Sequence, residues 1–156
     1  MSSNITAFAE SMRDFAETLP EAQLKPFRDA IGLKLLSSVV LNTPVDRGRL
    51  RGNWQTTAGG TTDAALATED RSGRETIAKG NATILAARVE EVIWLQNNLP
   101  YAVVVEEGLF EPADPGPSND PRPTRTGKVF VSGGYSLAAP QGMLARALEE
   151  VGSEFP

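Results

Sequence analysis

The sequence predicts an α+β fold in which two N-terminal helices, the second long and central to the core, pack on a small antiparallel β-sheet. A middle helix, a long proline-rich loop and a C-terminal helix complete the prediction. Apolar residues recur at every third or fourth position through roughly the first forty residues, which is typical of amphipathic helices. Short β-branched and aromatic runs occur later, between turn residues, which is typical of strands. With 156 residues, the chain is expected to form one domain over 1–156.

The positions of the helices can be read from this spacing. The first is expected to span about four turns between Ile5 and Leu19. The second begins at a capping box of Thr18 and Glu21 and ends near Asn42, just before a proline. Pro26 either kinks this helix or marks its true start. Two further helices are expected, over 72–89 behind a capping box of Ser72 and Glu75, and over 139–151.

The strands are short. Residues 53–58 alternate in polarity and should form one strand, and 129–131 should form another. The runs 92–95 and 101–106 are separated by a turn, so they should pair as an antiparallel hairpin. Tyr101, Glu106 and Gly108 would then mark the end of that hairpin. Because five of the eleven prolines lie within 110–128, that stretch is expected to be an extended loop without regular structure.

The composition excludes several kinds of chemistry. The chain has no Cys and no His, so disulfides, thiolate nucleophiles, Cys/His zinc sites and a histidine general base are ruled out. Asp and Glu number 20 against 15 Lys and Arg, a formal charge of −5, which disfavours tight non-specific binding to nucleic acid. We expect no cofactor, no metal site, no membrane span and no signal peptide. A soluble protein of the cell interior, or of a particle assembled there, remains.

Paired carboxylates give little support to an enzyme. Neighbouring acids on a strand point to opposite faces, and on a helix they lie about 100° apart. The pairs at 90–91, 106–107 and 149–150 therefore do not converge by themselves. We expect no catalytic residue. A small acid-dependent hydrolase using Asp46 and Glu106 stays open as a remote alternative, as does a regulatory binding module.

The stretch from Thr43 to Trp54 is the most unusual part of the chain. It carries Arg47, Arg49 and Arg51 around two glycines. We expect a short helical turn that Asp46 caps, Gly48 bends, and Leu50 and Trp54 anchor on the core. The three arginines would project outward. They could form a docking edge for a carboxylate-rich partner or a phosphate backbone, or remain solvated with their stems covering Trp54.

At this stretch the sequence resembles a family of tailed-phage neck and tail-completion proteins, also described as putative tail components or head–tail joining proteins. The shared pattern is Thr-Pro-Val-Asp-x-Gly-x-Leu-Arg-x-x-Trp. Other similar segments come later in the expected order: 72–78, the asparagine-rich turn and Pro-Tyr-Ala of 94–102, Val-Glu-Glu-Gly at 105–108, and the Ala-Pro-Gln-Gly-Met ending of 134–143. The matched motif residues are Pro44, Asp46, Gly48, Leu50, Trp54, Asn97, Pro100, Tyr101, Gly108, Tyr135, Pro140, Gly142 and Met143.

The resemblance covers roughly positions 40–150 and has two departures. Arg47 stands where the family usually has Thr or Ser, and the proline-rich insert 110–128 is longer than usual. The resemblance implies a non-enzymatic virion protein, assembled in the host cytoplasm, that forms a ring, commonly sixfold, at the head–tail junction. It would complete the tail and join it to the head connector, with neck, connector and tail proteins as partners. Duplex DNA would pass through the lumen without specific binding. A tail terminator and a head-side stopper or adaptor remain alternatives.

Charge is distributed unevenly along the chain. Residues 44–60 hold three arginines and one aspartate, whereas 99–127 hold five acids and two arginines. We expect this basic turn and this acidic arm to be complementary edges, and the arm at 110–128 to bind an adjacent ring or subunit. The candidate interaction residues are Arg47, Arg49, Arg51, Glu106, Glu107, Phe110, Arg122 and Arg125.

Overall fold

The computed structural model describes residues 2–110, 124–126, 129–132 and 135–155. Within these ranges the chain forms six helices and five strands, which confirms the α+β prediction. The helices are α1 (Ser2–Glu17), α2 (Glu21–Asn42), α3 (Arg49–Gly52), α4 (Arg74–Ala86), α5 (Ala102–Glu107) and α6 (Met143–Gly152). The strands are β1 (Trp54–Ala58), β2 (Ile93–Asn97), β3 (Thr124–Thr126), β4 (Val129–Ser132) and β5 (Tyr135–Ser136).

Helix α2 is the centre of the core, as predicted, and packs against α4 and α6. Leu36, Val39 and Val40 are fully buried on its inner face. Pro26 lies inside the helix, so it does not mark the start. Burial of these three side chains contributes roughly 1.5–3 kcal/mol each by area. The apolar contacts of α2 therefore fix the positions of the two helices beside it.

The start of α2 differs from the prediction. Pro20 precedes the helix and no side-chain capping bond forms there. The Thr18 hydroxyl instead donates to the Phe15 carbonyl at the end of α1, at 2.6 Å. Helix α1 is held by its contacts with α6 and by aromatic contacts, since the Phe15 and Phe27 ring centroids lie 5.0 Å apart. Phe27 also packs edge-on against Phe155.

Strand β2 pairs with β1, in an antiparallel register that places Trp54 opposite Asn97 and Ala58 opposite Ile93. The predicted pairing of 92–95 with 101–106 is therefore wrong. The second of those runs is helix α5, which is followed by Gly108 in the left-handed conformation. The burial of Ala102 and Val105, one helical turn apart, outweighs the β propensity of the valines.

An extended segment at 61–70, here called the strap, lies against the β1–β2 pair. The segment has no regular secondary structure. The buried Asn53 carboxamide pairs with both backbone groups of Leu66, at 2.7 and 3.0 Å. Gln96 pairs in the same way with Thr62, whose backbone nitrogen lies 3.2 Å from the carboxamide oxygen. These side-chain hydrogen bonds take the place of the main-chain hydrogen bonds that a third strand would form.

Asp70, at the end of the strap, caps α4. Its carboxylate accepts from the backbone N–H of Gly73 at 2.8 Å and of Thr76 at 2.9 Å, and from the Thr76 hydroxyl. The predicted capping box of Ser72 and Glu75 is therefore wrong, and the helix begins at Arg74 and ends at Ala86. Burial alone would raise the pKa of Asp70, but the hydrogen bonds to the charged carboxylate outweigh it and lower that pKa below its ordinary value.

Strands β3, β4 and β5 form a second, three-stranded antiparallel sheet. Strand β4 confirms the predicted strand at 129–131 and extends it to Ser132. The expectation that 110–128 lacks a strand is wrong at 124–126, because those residues pair with β4. The rest of that stretch, at 111–123 and 127–128, lies outside the described residues.

Helix α6 starts at Met143 and not at residue 139. Pro140 and Gly142 form the turn before it, with Gly142 as the residue that precedes the helix. The predicted C-terminal helix is confirmed, and it buries Met143, Ala147 and Val151. No helix in the described ranges combines the length and the apolar character that a membrane crossing needs.

Candidate functional site

The basic turn, here residues 43–53, is built on the end of α2. Thr43 is buried, and its hydroxyl donates to the Val39 carbonyl at 2.7 Å. The same oxygen accepts from the Trp54 indole N–H, also at 2.7 Å. Trp54 packs against the core, so its predicted role as a packing residue is confirmed. The turn therefore leaves α2 at a fixed position.

Gly48 permits the tight bend that the sequence predicted. Its φ is +91°, and a Cβ atom there would lie 2.4 Å from the Arg71 backbone nitrogen. Its carbonyl accepts from the N–H groups of Gly52 at 2.8 Å and Asp70 at 3.1 Å. The predicted helical turn is confirmed as α3, with Gly48 as the residue that precedes it. The Asp46 carbonyl accepts from the Arg71 guanidinium at 3.0 Å.

Arg51 does not project outward, so the prediction for this arginine is wrong. Its guanidinium donates to the carbonyls of Arg71 at 2.7 Å, Thr43 at 2.9 Å and Leu41 at 3.1 Å. Burial lowers the pKa of Arg51, against an opposing effect of the Asp70 charge. Arg51 thereby joins the end of α2 to the residue that follows the strap, and it is a structural residue. Arg47 and Arg49 are exposed, as predicted.

One other motif segment, 94–102, contacts this turn. The Asn97 carboxamide donates to the Leu50 carbonyl at 2.8 Å, which links the asparagine-rich turn to α3. Leu50 and Leu99 both belong to the buried core cluster. Segments from 43–54 and 94–102 are therefore neighbours in space.

Two further motif segments, 105–108 and 134–143, meet at α5. Gly108 ends that helix with a φ of +66°, and a Cβ atom there would lie 2.4 Å from the Tyr135 ring. The Glu106 carboxylate accepts from the backbone N–H groups of Met143 at 2.7 Å and Leu144 at 2.9 Å. Glu106 is therefore a capping residue for α6, and its predicted interaction with a partner stays a prediction. Glu107, beside it, is exposed.

A cavity of about 690 Å³, here called the cleft, lies between the basic turn, α5 and the residues after β5. Its apolar surface includes Leu50, Tyr101, Val105, Phe110 and Leu137. Tyr101 is 42% exposed and Leu137 is 48% exposed, so both side chains present apolar surface to the cleft. A volume of this size is typical of clefts that bind a ligand or a short peptide.

Four charged residues also line the cleft: Asp46, Arg47, Arg49 and Glu69. The guanidinium groups of these two arginines form no hydrogen bond or ion pair with any other described residue. Apolar walls beside such guanidinium groups suit a partner that offers both apolar groups and carboxylates.

Sequence reasoning did not find the cleft, because it combines three segments that are far apart in the chain. It also missed the capping roles of Asp70 and Glu106. An acid before a glycine and a helical pattern, as at Asp70 and Gly73, was the available signal for the first. Of the other predicted interaction residues, Phe110 is half-buried beside the core, Arg125 lies in β3, and Arg122 lies outside the described residues.

Within the described ranges, no cluster of three or more Asp or Glu could hold a metal ion. The Glu106 carboxylate is engaged with the start of α6, so it is not positioned to act as a general base in the cleft. Comparison of the chain with known protein families, with curated proteins and with solved structures found no match.

Proposed function

We propose that this chain is a non-enzymatic structural protein of a tailed-phage virion. In this proposal it forms a homo-oligomeric ring, preferably of six subunits, at the neck. The ring completes the tail and joins it to the head connector, and duplex DNA passes through its lumen without specific binding. Neighbouring neck, connector and tail proteins are its partners.

One observation supports this proposal above the others. The separate motifs that resemble the neck and tail-completion family contact one another through their own motif residues. Asn97 binds the Leu50 carbonyl, and Gly108 packs on the Tyr135 ring. An accidental likeness of short motifs gives no reason for such contacts. The motifs therefore behave as parts of one structural unit, as members of one family pattern should.

The surface supports a binding role over a catalytic one. The exposed Arg47 and Arg49 beside an apolar cleft are suited to a protein–protein contact. The acid-dependent hydrolase alternative needs Asp46 and Glu106 in one site, but Glu106 caps α6. A tail terminator or a head-side stopper or adaptor would use the same fold, so these two remain alternatives within the same setting.

Electron microscopy of a phage whose gene for this chain is disrupted tests the proposal. Full heads without tails beside free, capped tails would indicate joining. Overlong tails would favour the terminator alternative, and leaking, DNA-free heads would favour the stopper. Supplying the wild-type chain from a plasmid should restore joined particles, which controls for effects on neighbouring genes. Normal, infectious particles from the disrupted phage would contradict a neck role.

A further inference from the structure

We propose that the cleft binds the acidic, proline-rich segment 111–121 of a second copy of this chain. The inference rests on the proposed ring, because a ring needs two different, complementary surfaces on each subunit. It identifies one of those surfaces as the cleft and the other as the segment.

The shape and polarity of the cleft favour an extended apolar peptide. Its volume is about 690 Å³, and Leu50, Val105 and Phe110 provide apolar surface within it. Tyr101 and Leu137 remain about half exposed there. Exposed aromatic and aliphatic side chains that line a concave surface are typical of sites that receive a partner. Clefts with aromatic walls commonly receive proline-rich segments, whose extended conformation is already formed before binding.

The sequence of 111–121 has this character. It reads Glu-Pro-Ala-Asp-Pro-Gly-Pro-Ser-Asn-Asp-Pro, with four prolines, three acids and no Lys or Arg. Proline restricts the unbound chain, so ordering the segment costs less conformational entropy than ordering a flexible one.

Charge complementarity points to the same occupant. Arg47 and Arg49 line the cleft and are exposed, and their guanidinium groups have no partner among the described residues. The three carboxylates of the segment, from Glu111, Asp114 and Asp120, can pair with these guanidinium groups. Asp46 and Glu69 also line the cleft. Their negative charges limit how many acids of the segment can approach. They also favour the register in which the acids of the segment meet the two arginines.

Pairing between two copies is directional. The cleft of one subunit receives the segment of the next, so the contact joins unlike surfaces. Repetition of such a head-to-tail contact closes into a ring when the rotation between subunits allows it.

Charge exchange between two chains tests the proposal. The cleft variant carries Arg47→Glu and Arg49→Glu, and the segment variant carries Glu111→Lys, Asp114→Lys and Asp120→Lys. A control chain carries Arg13→Glu and Arg74→Glu, both exposed and outside the cleft. Far-ultraviolet circular dichroism confirms that each chain folds, and sedimentation velocity of the full-length chains measures association.

We expect each variant alone to associate at least about tenfold more weakly than the wild type, because like charges now meet. The control should associate as the wild type does. An equimolar mixture of the two variants should regain association, since each cleft then meets a segment of opposite charge on another chain. Recovery on mixing requires two chains, so contact between a cleft and the segment of its own chain cannot produce it.

Three results would overturn the inference: a wild-type chain that stays monomeric up to about 1 mM, variants that associate normally, or a mixture that does not recover. These results leave the neck assignment to the microscopy of the disrupted phage. Tail-less heads together with an unrecovered mixture would reject only the cleft contact. Normal particles together with a recovered mixture would reject only the neck assignment.

Discussion

The Glu106 carboxylate lies 2.7 Å from the backbone nitrogen of Met143 and accepts the hydrogen bond that begins α6. The two residues are 37 positions apart, so one side chain at the end of α5 caps a helix from a different part of the chain. A carboxylate at this end of a helix also interacts favourably with the helix dipole. This contact joins two of the motif segments, 105–108 and 134–143.

Glu106→Gln should lower the free energy of unfolding by about 1 kcal/mol, because a neutral carboxamide oxygen accepts the α6 N–H groups more weakly than a carboxylate. Chemical denaturation at neutral pH measures this loss in the free energy of unfolding. The neighbouring Glu107→Gln, at an exposed position, is the matched control and should stay within about 0.5 kcal/mol of the wild type. Equal effects of the two substitutions would contradict the capping role.

Gly108→Ala should destabilise the chain by about 2–4 kcal/mol. The residue has a φ of +66°, and the added methyl group would meet the Tyr135 ring at 2.4 Å. Gly60→Ala is the control, because nothing lies within 4 Å of its added Cβ atom. Thermal unfolding followed by circular dichroism compares the two. If Gly108→Ala proved as stable as Gly60→Ala, the close contact between Gly108 and Tyr135 would be wrong.

Arg51→Ala should cost about 2–3 kcal/mol of unfolding free energy. The substitution leaves the carbonyls of Leu41, Thr43 and Arg71 without their guanidinium donor. Arg49→Ala, two positions earlier and exposed, should change stability by less than about 0.5 kcal/mol. Denaturant titration of both variants measures the two changes in unfolding free energy. A large loss in the Arg49 variant with none in the Arg51 variant would reverse the structural assignment of the two arginines.

Asp70→Asn should change the dependence of stability on pH. The pKa of Asp70 is lowered in the folded chain, so near its unfolded value of about 3.9 the unfolded chain binds more protons. The stabilisation is therefore fully present above that value and is lost as the pH falls through the folded pKa. At neutral pH we expect a cost of about 1–3 kcal/mol.

The measurement is the free energy of unfolding of wild type and variant between pH 2 and 7. The difference between them should shrink steadily below about pH 4. Asp63→Asn, at an exposed position in the strap, controls for the loss of one charge and should lie within about 0.5 kcal/mol of the wild type at neutral pH. A constant difference across the whole range would contradict the prediction for Asp70.

Removal of 112–121 should spare folding but block the joining of heads to tails. The deletion excludes Phe110, which packs beside the core, and β3, which pairs with β4. Circular dichroism checks the fold, and plaque formation by a disrupted phage supplied with the variant checks function. Replacement of the same ten residues by a Gly/Ser linker separates loss of sequence from loss of length. Infectious particles from either variant would show that the segment is not needed for joining.

Much of the fold can be predicted from local patterns in the sequence. The apolar spacing that ends in Val39 and Val40 predicts α2, and the alternation after Asn53 predicts β1. The valines of α5 misled the prediction because their β propensity is local, whereas burial of Val105 depends on distant segments. Pro100 before the run and Gly108 after it were the signals for a helix.

The candidate site was less predictable for two physical reasons. Residues two apart on a helical turn lie about 200° apart around the helix axis. Arg49 and Arg51 therefore lie on nearly opposite faces of α3. The helical turn that the sequence predicted there already implied this difference. The second reason is distance along the chain. The cleft joins residues near 46, 105 and 137, and no local pattern reports which of these segments will be neighbours.

The strap has a consequence for how the molecule responds to its surroundings. Its contacts with Asn53, Gln55, Gln96 and Asn98 are all made by neutral carboxamides with backbone groups. Salt screens charges, and protons titrate acids, but neither acts directly on these bonds. Ionic conditions that strengthen or weaken the charged contacts should therefore leave the carboxamide contacts of residues 62–66 in place. This part of the strap would keep its conformation while pH and salt change the strength of the charged contacts near it.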